Sequence, residues 1–219
     1  MNKLLTSMFA LAVASVTAFS VQAQELKGDA KAAEQKIAMC IGCHGIKGYQ
    51  ASFPEVYRVP MISGQNAKYI ASALNAYKKG DRKHPTMRGI STSLTDQDIA
   101  DISAYYEQHG KTDAVVPAPT TPDAKVAALL QKGACVSCHG DNFSKPVDPS
   151  YPKLAGQHKD FLFVALKSYK TENMATWGRN NGVMGGIAKQ FSNAELKALA
   201  AYVGSQEGEL KTVPQSKFR

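Results

Sequence analysis

A five-residue motif that occurs twice places the strongest constraint on how this chain can fold. The copies are Cys40-Ile41-Gly42-Cys43-His44 and Cys135-Val136-Ser137-Cys138-His139, and together they contain all four cysteines of the sequence. In a Cys-x-x-Cys-His motif, the two thiols can form thioethers with the vinyl groups of one haem, and the adjacent histidine reaches the iron. The sequence therefore predicts two covalently attached haem c groups, one at each copy.

Other uses of the cysteines explain the sequence less well. Two disulfide bonds would leave the histidine after each pair unexplained. A thioredoxin-like redox site requires a strand–helix–strand setting, which the sequence does not show. A single zinc ion is disfavoured because the two pairs lie 92 residues apart, far beyond the ordinary spacing of structural zinc ligands. Covalent haem attachment is the interpretation that accounts for both cysteines and histidine.

The motif is part of an internal repeat that spans the chain. The segment 59–65 corresponds to 151–157, and the aromatic and apolar positions that follow correspond at the same offset of 92 residues. Further on, Leu94 corresponds to Phe191 at an offset of 97 residues. Such self-similarity indicates that the chain contains the same module twice. The predicted organisation is domain 24–110, linker 111–122, whose proline-rich sequence favours a stiff and extended conformation, and domain 123–219.

Both modules are predicted to be helical. Thr95 and Ser192 are each followed by acidic residues in the next turn, so we expect them to be the N-caps of the last helix of each half. No segment shows the alternation of apolar and polar residues that is typical of strands. The other predicted helices, from alanine content and apolar spacing, cover 29–42, 66–79, 123–137 and 158–171.

The first 23 residues have the pattern of a secretory signal peptide. Lys3 is followed by the apolar stretch 4–21, and Val21-Gln22-Ala23 resembles a cleavage site, so we expect a mature chain from Gln24. No later stretch approaches the roughly 18 apolar residues that a transmembrane helix needs. Because c-type haem is attached on the periplasmic side of bacterial membranes, the predicted location is the periplasm. Peripheral association with a membrane is left open.

The net charge of the chain indicates which kind of partner it binds. The formal net charge is +8, and nothing in the sequence resembles a motif that reads a nucleic-acid groove. A positive face for an acidic redox protein is the more economical explanation. The basic run 78–83 precedes Met87 in the sequence and, together with Arg88, is the candidate surface for such a partner.

The ordered set of motifs resembles the class I cytochrome c fold twice and, more closely, the dihaem cytochrome c4 family. The resemblance covers essentially the whole mature chain. It implies an all-α protein of two tandem class I cytochrome c domains, each wrapped around one covalent haem. Beside the haem motifs, it rests on Pro-x-φ-x-Gly-Gln at 60–65 and 152–157, on Tyr69, Tyr77 and Lys78, and on Met87-Arg88-Gly89-Ile90 ahead of Leu94.

The attachment motifs make His44 and His139 the predicted proximal iron ligands. The second ring nitrogen of a ligand histidine needs a hydrogen-bond acceptor that fixes its tautomer. In class I cytochromes c a proline carbonyl fills this role. Pro60 and Pro152 match that position, and the resemblance implies that they orient the two histidines.

The sixth iron ligand is less directly given by the sequence. Met87 and Met184 lie seven residues before Leu94 and Phe191, and both are followed by x-Gly-Ile, so the repeat favours these two. Met61 corresponds to Lys153 in the second half. The remaining candidates are His84, Met174 and His158, which have no equivalents of their own kind, while Trp177 and Arg179 receive no role.

The resemblance implies an electron carrier and not an enzyme. Iron held by both a histidine and a methionine has no open position for a substrate. The implied partners are membrane or periplasmic electron donors and a terminal oxidase. Two alternatives stay open: a cytochrome subunit of a flavocytochrome-type dehydrogenase, and a dihaem enzyme such as a thiosulfate dehydrogenase, which would need a haem with a displaceable ligand.

Overall fold

A computed structural model of the chain describes residues 26–111, 115–171 and 174–215. The predicted signal peptide and its cleavage site lie outside these residues. The first half comprises α1 (Ala30–Ala33), α2 (Ala38–His44), β1 (Gln50–Ala51), β2 (Tyr57–Arg58), α3 (Ala67–Lys79), β3 (Arg82–Lys83), α4 (Pro85–Thr92) and α5 (Asp96–Gln108). The second half comprises α6 (Ala124–Lys132), α7 (Cys135–His139), α8 (Lys159–Ser168), β4 (Gly178–Arg179), α9 (Gly182–Ala188) and α10 (Asn193–Ser205).

Capping residues define where the main helices begin. Thr95 accepts a hydrogen bond from the backbone N–H of Asp98, and the Asp98 carboxylate accepts one from Thr95 N–H in return. Ser192 and Glu195 form the same capping box at the start of α10. Each box satisfies two backbone donors that a helix start would leave unpaired. The two N-caps predicted from the sequence are confirmed.

The two helices that lead into the haem motifs are shorter than predicted. The segment 29–42 is interrupted between α1 and α2, and the segment 123–137 is interrupted between α6 and α7. At the second break Ala134 has a φ of 46°, in the left-handed region. A side chain on Gly133 would lie only 3.1 Å from Cys135 Sγ. The chain therefore turns at a close approach, and the attachment cysteines stand on a short helix of their own.

The core of each half forms where the first helix meets the last. Helix α1 packs on α5, and α6 packs on α10, while α3 and α8 cover the same partners from another side. Ile99 and Leu196 are 2% and 1% exposed, and they occupy equivalent positions in the repeat. Burying one such side chain stabilises the folded state by about 1.5–3 kcal/mol. The repeated sequence thus produces two similar helical cores.

Short strands, which the sequence did not predict, join parts of the chain without changing its helical class. Strands β1 and β2 pair antiparallel within the first half, whereas β3 and β4 pair antiparallel between the halves, with Arg82 opposite Arg179. After α10 the chain returns to the first half, where Lys211 N–H donates to the Ser63 carbonyl at 3.0 Å. The all-α class stands, because each strand has only two residues.

Two equivalent glutamines join the halves through reciprocal hydrogen bonds. The Gln157 carboxamide accepts from Met61 N–H at 3.0 Å and donates to the Met61 carbonyl at 2.9 Å. Gln65 does the same to Lys153, at 2.9 and 3.0 Å. Both glutamines are buried. The boundary therefore has approximate two-fold symmetry, and each bond pair lies next to a proline that both copies of the repeat contain, Pro60 or Pro152.

No helix in the described ranges is long and apolar enough to span a bilayer.

Candidate haem-binding sites

The structure places each attachment motif on a short helix facing its own half. Cys40, Cys43 and His44 lie on α2, and the second set lies on α7. All four cysteines are free thiols, so no disulfide competes for them. Burial raises the pKa of Cys40 to about 11, and burial also raises the pKa of Cys135. Such thiols stay protonated near neutrality, as expected for side chains that face an apolar space.

The two histidines of the motifs have the carbonyl partners that the sequence predicts. His44 Nδ1 lies 2.8 Å from the Pro60 carbonyl oxygen, and His139 Nδ1 lies 3.4 Å from that of Pro152. A proton on Nδ1 leaves Nε2 as the free lone pair. Burial lowers the pKa of both imidazoles, which keeps the neutral, ligating form available. The second contact is the longer and weaker of the two.

A cavity of 470 Å³ in the first half brings the predicted haem residues together. This volume falls within the range of about 300–1,000 Å³ that is usual for small-molecule sites. Besides the attachment motif, its walls include Ile70, Leu74 and Ile102 from the apolar core. The predicted iron ligands His44 and Met87 line it, and so does Pro60, whose carbonyl accepts the hydrogen bond from His44.

The predicted distal methionines occupy equivalent places near the start of α4 and α9. Each methionine N–H is held by the residue that caps its helix: Met184 donates to Asn181 Oδ1 at 2.9 Å, and Met87 lies 3.4 Å from His84 Nδ1. Both methionines are partly buried. The capped turn therefore fixes the backbone from which each thioether extends, more tightly in the second half than in the first.

The other candidate ligands are placed differently. Met174 is 50% exposed. The backbone of Met61 is bound to Gln157 across the boundary, although its side chain lines the first-half cavity. His158 precedes α8 without capping it, and His84 caps α4 with Nδ1 while its buried Nε2 has no partner. Neither histidine has a histidine at the equivalent position of the other half.

The described residues fit a haem in the first half. Two thiols and an imidazole share a largely apolar cavity, which matches the porphyrin and its three points of attachment. The buried Nε of Arg82, which has no hydrogen-bond partner, lies on the same wall. A cationic donor of this kind suits the carboxylate side chains of a haem.

Most of the basic run before Met87 is engaged within the molecule. Lys78 Nζ donates to the Leu94 carbonyl at 2.8 Å, and Lys83 Nζ donates to the Met174 carbonyl at 2.6 Å. Arg82 packs over the Tyr77 ring. Of the predicted docking side chains, Lys79 and Arg88 remain exposed. The candidate surface for a partner is therefore smaller than the sequence indicated.

Comparison with known proteins agrees with this architecture. The cytochrome c family model matches residues 30–109 and 124–207. Cytochrome c4 from Stutzerimonas stutzeri is 31% identical over 217 residues, covering 93% of this chain and 98% of the relative. The crystal structure of reduced recombinant cytochrome c4 from Pseudomonas stutzeri has a TM-score of 0.61 at 28% identity and covers 82% of this chain and all of that one. The thiosulfate dehydrogenase electron acceptor of Stutzerimonas stutzeri (strain A1501) is 29% identical, covering 83% of this chain and 85% of the relative.

Two helical modules with one Cys-x-x-Cys-His helix each define a c-type cytochrome with two haem domains. The similarity to cytochrome c4 narrows this class further, because it extends through both modules and the segment that connects them. The chain belongs to the dihaem cytochrome c4 family. It therefore carries two covalent haems and functions in electron transfer.

Some residues at the boundary had no role in the sequence-based prediction. Gln65 and Gln157 were recognised only as part of a repeated segment, and Arg179 was left unassigned. The signal that could have found them is their equivalence: a polar side chain kept in both copies, where the surroundings are apolar, indicates a shared contact.

Proposed function

We propose that this chain is a periplasmic electron carrier that receives electrons from membrane or periplasmic dehydrogenases and delivers them to a terminal oxidase or another respiratory partner. The observation that carries the proposal is that His44 and Met87 line one largely apolar cavity together with the attachment cysteines. A haem in that cavity would have a ligand available on each face. Iron coordinated in this way has no free position for a substrate.

In this proposal each side chain has a defined task. The haem, when bound, supplies reversible one-electron oxidation and reduction. His44 and His139 ligate iron through Nε2, while Pro60 and Pro152 hold the opposite ring nitrogens through their carbonyls. The distal ligands are Met87 and Met184, and the domains are 24–110 and 123–219 with the linker 111–122 between them.

Location follows from the first 23 residues and from the cofactor. A secretory signal would carry the chain to the compartment in which c-type haem is attached. Intact-mass measurement of the purified protein should give a polypeptide that begins at Gln24 and carries two haem masses. A mass that retains the first 23 residues would contradict export with cleavage.

Optical spectra of the oxidised and reduced holoprotein test the ligation and the absence of an enzymatic site together. Two low-spin haems that do not bind carbon monoxide are expected, since histidine and methionine fill both axial positions. A high-spin haem, or binding of carbon monoxide to one haem of the native protein, would favour an enzyme over a carrier.

A second candidate function is that of electron acceptor for a thiosulfate dehydrogenase. The similarity to a protein of that name over most of both chains favours it. The oxidised protein should then be reduced by thiosulfate when a thiosulfate dehydrogenase is added, and should stay oxidised with thiosulfate alone. Reduction by thiosulfate without added enzyme would instead indicate that the chain itself is the dehydrogenase.

A further inference from the structure

One tyrosine hydroxyl in the wall of the first-half cavity has no hydrogen-bond partner. Tyr106, near the end of α5, is 2% exposed and lines the cavity together with Cys40. Its ring packs edge-on against Tyr105 and His109, with ring centres 5.1 and 5.8 Å away. Its hydroxyl oxygen is buried, yet it makes no hydrogen bond of normal geometry to any residue in the described part of the chain. A buried tyrosine hydroxyl usually has a partner, because leaving it unpaired costs free energy.

Two other buried hydroxyls of the first half also lack a partner, but their situation is different. Ser91 and Ser103 lie within α4 and α5, and neither is among the residues that line the cavity. A serine inside a helix can turn its hydroxyl toward a carbonyl of the preceding turn. The hydroxyl of a tyrosine lies too far from its own backbone for such a bond. Tyr106 therefore needs an acceptor at the cavity itself.

Cys40 is the neighbour that can supply this acceptor. Its side chain packs against the core cluster of the first half to which Tyr106 belongs. Burial raises the pKa of Tyr106, and the nearby Cys40 sulfur raises it further, while the Tyr106 hydroxyl opposes the rise that burial causes in the pKa of Cys40. The two side chains are therefore close enough to interact. Once the sulfur belongs to a thioether it has no proton to donate, so it can only accept.

The second half has an aliphatic side chain at the equivalent place. Val203 corresponds to Tyr106 at the offset of 97 residues, and Cys135 packs against the core cluster that contains Val203. Ser137 Oγ lies 3.8 Å from Cys138 Sγ, but this hydroxyl donates to a backbone carbonyl at 2.6 Å. A buried hydroxyl beside the first attachment cysteine is thus a feature of one copy of the repeat alone.

We propose that Tyr106 is a positioning residue of the first haem site, and that its hydroxyl donates a hydrogen bond to the thioether sulfur of Cys40. This inference rests on the covalent haem at that motif and not on the proposed partners. A donor at the sulfur draws electron density from it and from the porphyrin ring to which it is bonded, which favours ferrous over ferric iron. Since Val203 cannot donate, the second haem lacks this effect. Tyr106 is then one cause of unequal potentials in a chain built from a repeat.

Removing the hydroxyl alone tests the proposal. In the holoprotein, Tyr106→Phe should lower the reduction potential of the first-half haem and leave that of the second-half haem unchanged. Tyr105→Phe is the matched control, because Tyr105 does not line the cavity and its hydroxyl accepts from Gln215 at 2.9 Å. Haem methyl signals in NMR spectra recorded at successive potentials assign each potential to its haem. An unchanged first potential in Tyr106→Phe, or the same shift in Tyr105→Phe, would overturn the proposal, since a hydroxyl with a structural role alone would not move it selectively.

A measurement on the unaltered protein applies even if Tyr106→Phe fails to acquire both haems. In the fully reduced, diamagnetic holoprotein, the Tyr106 hydroxyl proton should exchange slowly with solvent and show a nuclear Overhauser effect to the β-protons of Cys40. A hydroxyl proton that exchanges rapidly, or whose nearest protons belong to a bound water or to another side chain, would contradict the proposal. Neither experiment involves an electron-transfer partner, so failure of the proposed function and failure of this assignment are distinguishable.

Discussion

At the scale of single residues, the two haem sites differ more than their motifs do. The proximal contact is 2.8 Å for His44 and 3.4 Å for His139. The residue that caps the distal helix is a histidine in the first half, His84, and an amide, Asn181, in the second. A stronger bond to the proximal imidazole makes it a better electron donor to iron. We therefore expect unequal haems from one repeated sequence.

The distal ligands give the most direct residue-scale prediction. Met87→Ala and Met184→Ala should each remove about half of the charge-transfer absorption between methionine and ferric iron, since each haem contributes one such bond. Each variant should also open its own haem to carbon monoxide and lower its potential. Met61→Ala and Met174→Ala are the matched controls and should keep the full band. Loss of the band in either control would mean that the repeat had been aligned incorrectly.

At the scale of elements, capping and periodicity were readable from the sequence, whereas helix breaks were not. Thr95 and Ser192 combine a hydroxyl with an acidic residue three positions later, and this local pattern is sufficient to form a capping box. The break at Gly133 depends on contacts with Cys135 and Phe191, the latter from a distant part of the chain. A window of neighbouring residues contains no information about such a contact.

The capping box of α5 also gives the first half a dependence on pH. Asp98 bonds to the Lys36 side chain and to the Thr95 N–H, and these bonds lower its pKa to about 2. Because the folded pKa lies below the unfolded value of about 4, Asp98 stabilises the fold above that value and loses its contribution as the pH falls toward 2.

Urea denaturation of the holoprotein measures this effect. Between about pH 6 and pH 3, the free energy of unfolding should fall further in the unaltered protein than in Asp98→Asn, whose amide does not titrate. Asp141→Asn is a suitable control: Asp141 is exposed in a loop of the second half, and its side chain makes no hydrogen bond or ion pair in the described part of the chain. If the two asparagine variants show the same acid sensitivity, the Lys36–Asp98 contact does not link α5 to the N-terminal segment.

At the scale of the whole molecule, the association of the halves is the feature that the sequence left undetermined. The repeat predicts two similar modules, and it does not say which surfaces meet. The halves meet next to Pro60 and Pro152, where Gln65 and Gln157 form hydrogen bonds with the backbone of the opposite half. A contact between two copies of one segment carries no local periodicity, so only the folded arrangement reveals it.

The glutamine contacts should contribute measurably to stability. Gln65→Ala and Gln157→Ala each remove two hydrogen bonds to the other half and one to the next residue of their own half. Each variant leaves a partly buried N–H and carbonyl of the other half unpaired, at a cost of about 1–3 kcal/mol. By the symmetry of the boundary the two costs should be similar. Thermal unfolding of the holoprotein measures them, with exposed Gln190→Ala as the control. An effect no larger than that of the control would show that the boundary is held by other contacts.

The net charge of +8 predicts how the protein meets its partners. Of the basic side chains near the first distal methionine, Lys79 and Arg88 are exposed, so they are the ones that can attract an acidic surface. Association with a partner should slow as ionic strength rises, because at 0.1 M salt the attraction between exposed charges is largely screened beyond about 10 Å. The double variant Lys79→Glu and Arg88→Glu should slow electron transfer to the partner at low salt and leave both haem spectra unchanged. Reversing Lys125 of α6 and Lys197 of α10, which are also exposed, gives a control with the same change of net charge. If this control slows the reaction equally, the net charge governs the encounter. The prediction that partners dock at the surface beside Met87 is then wrong.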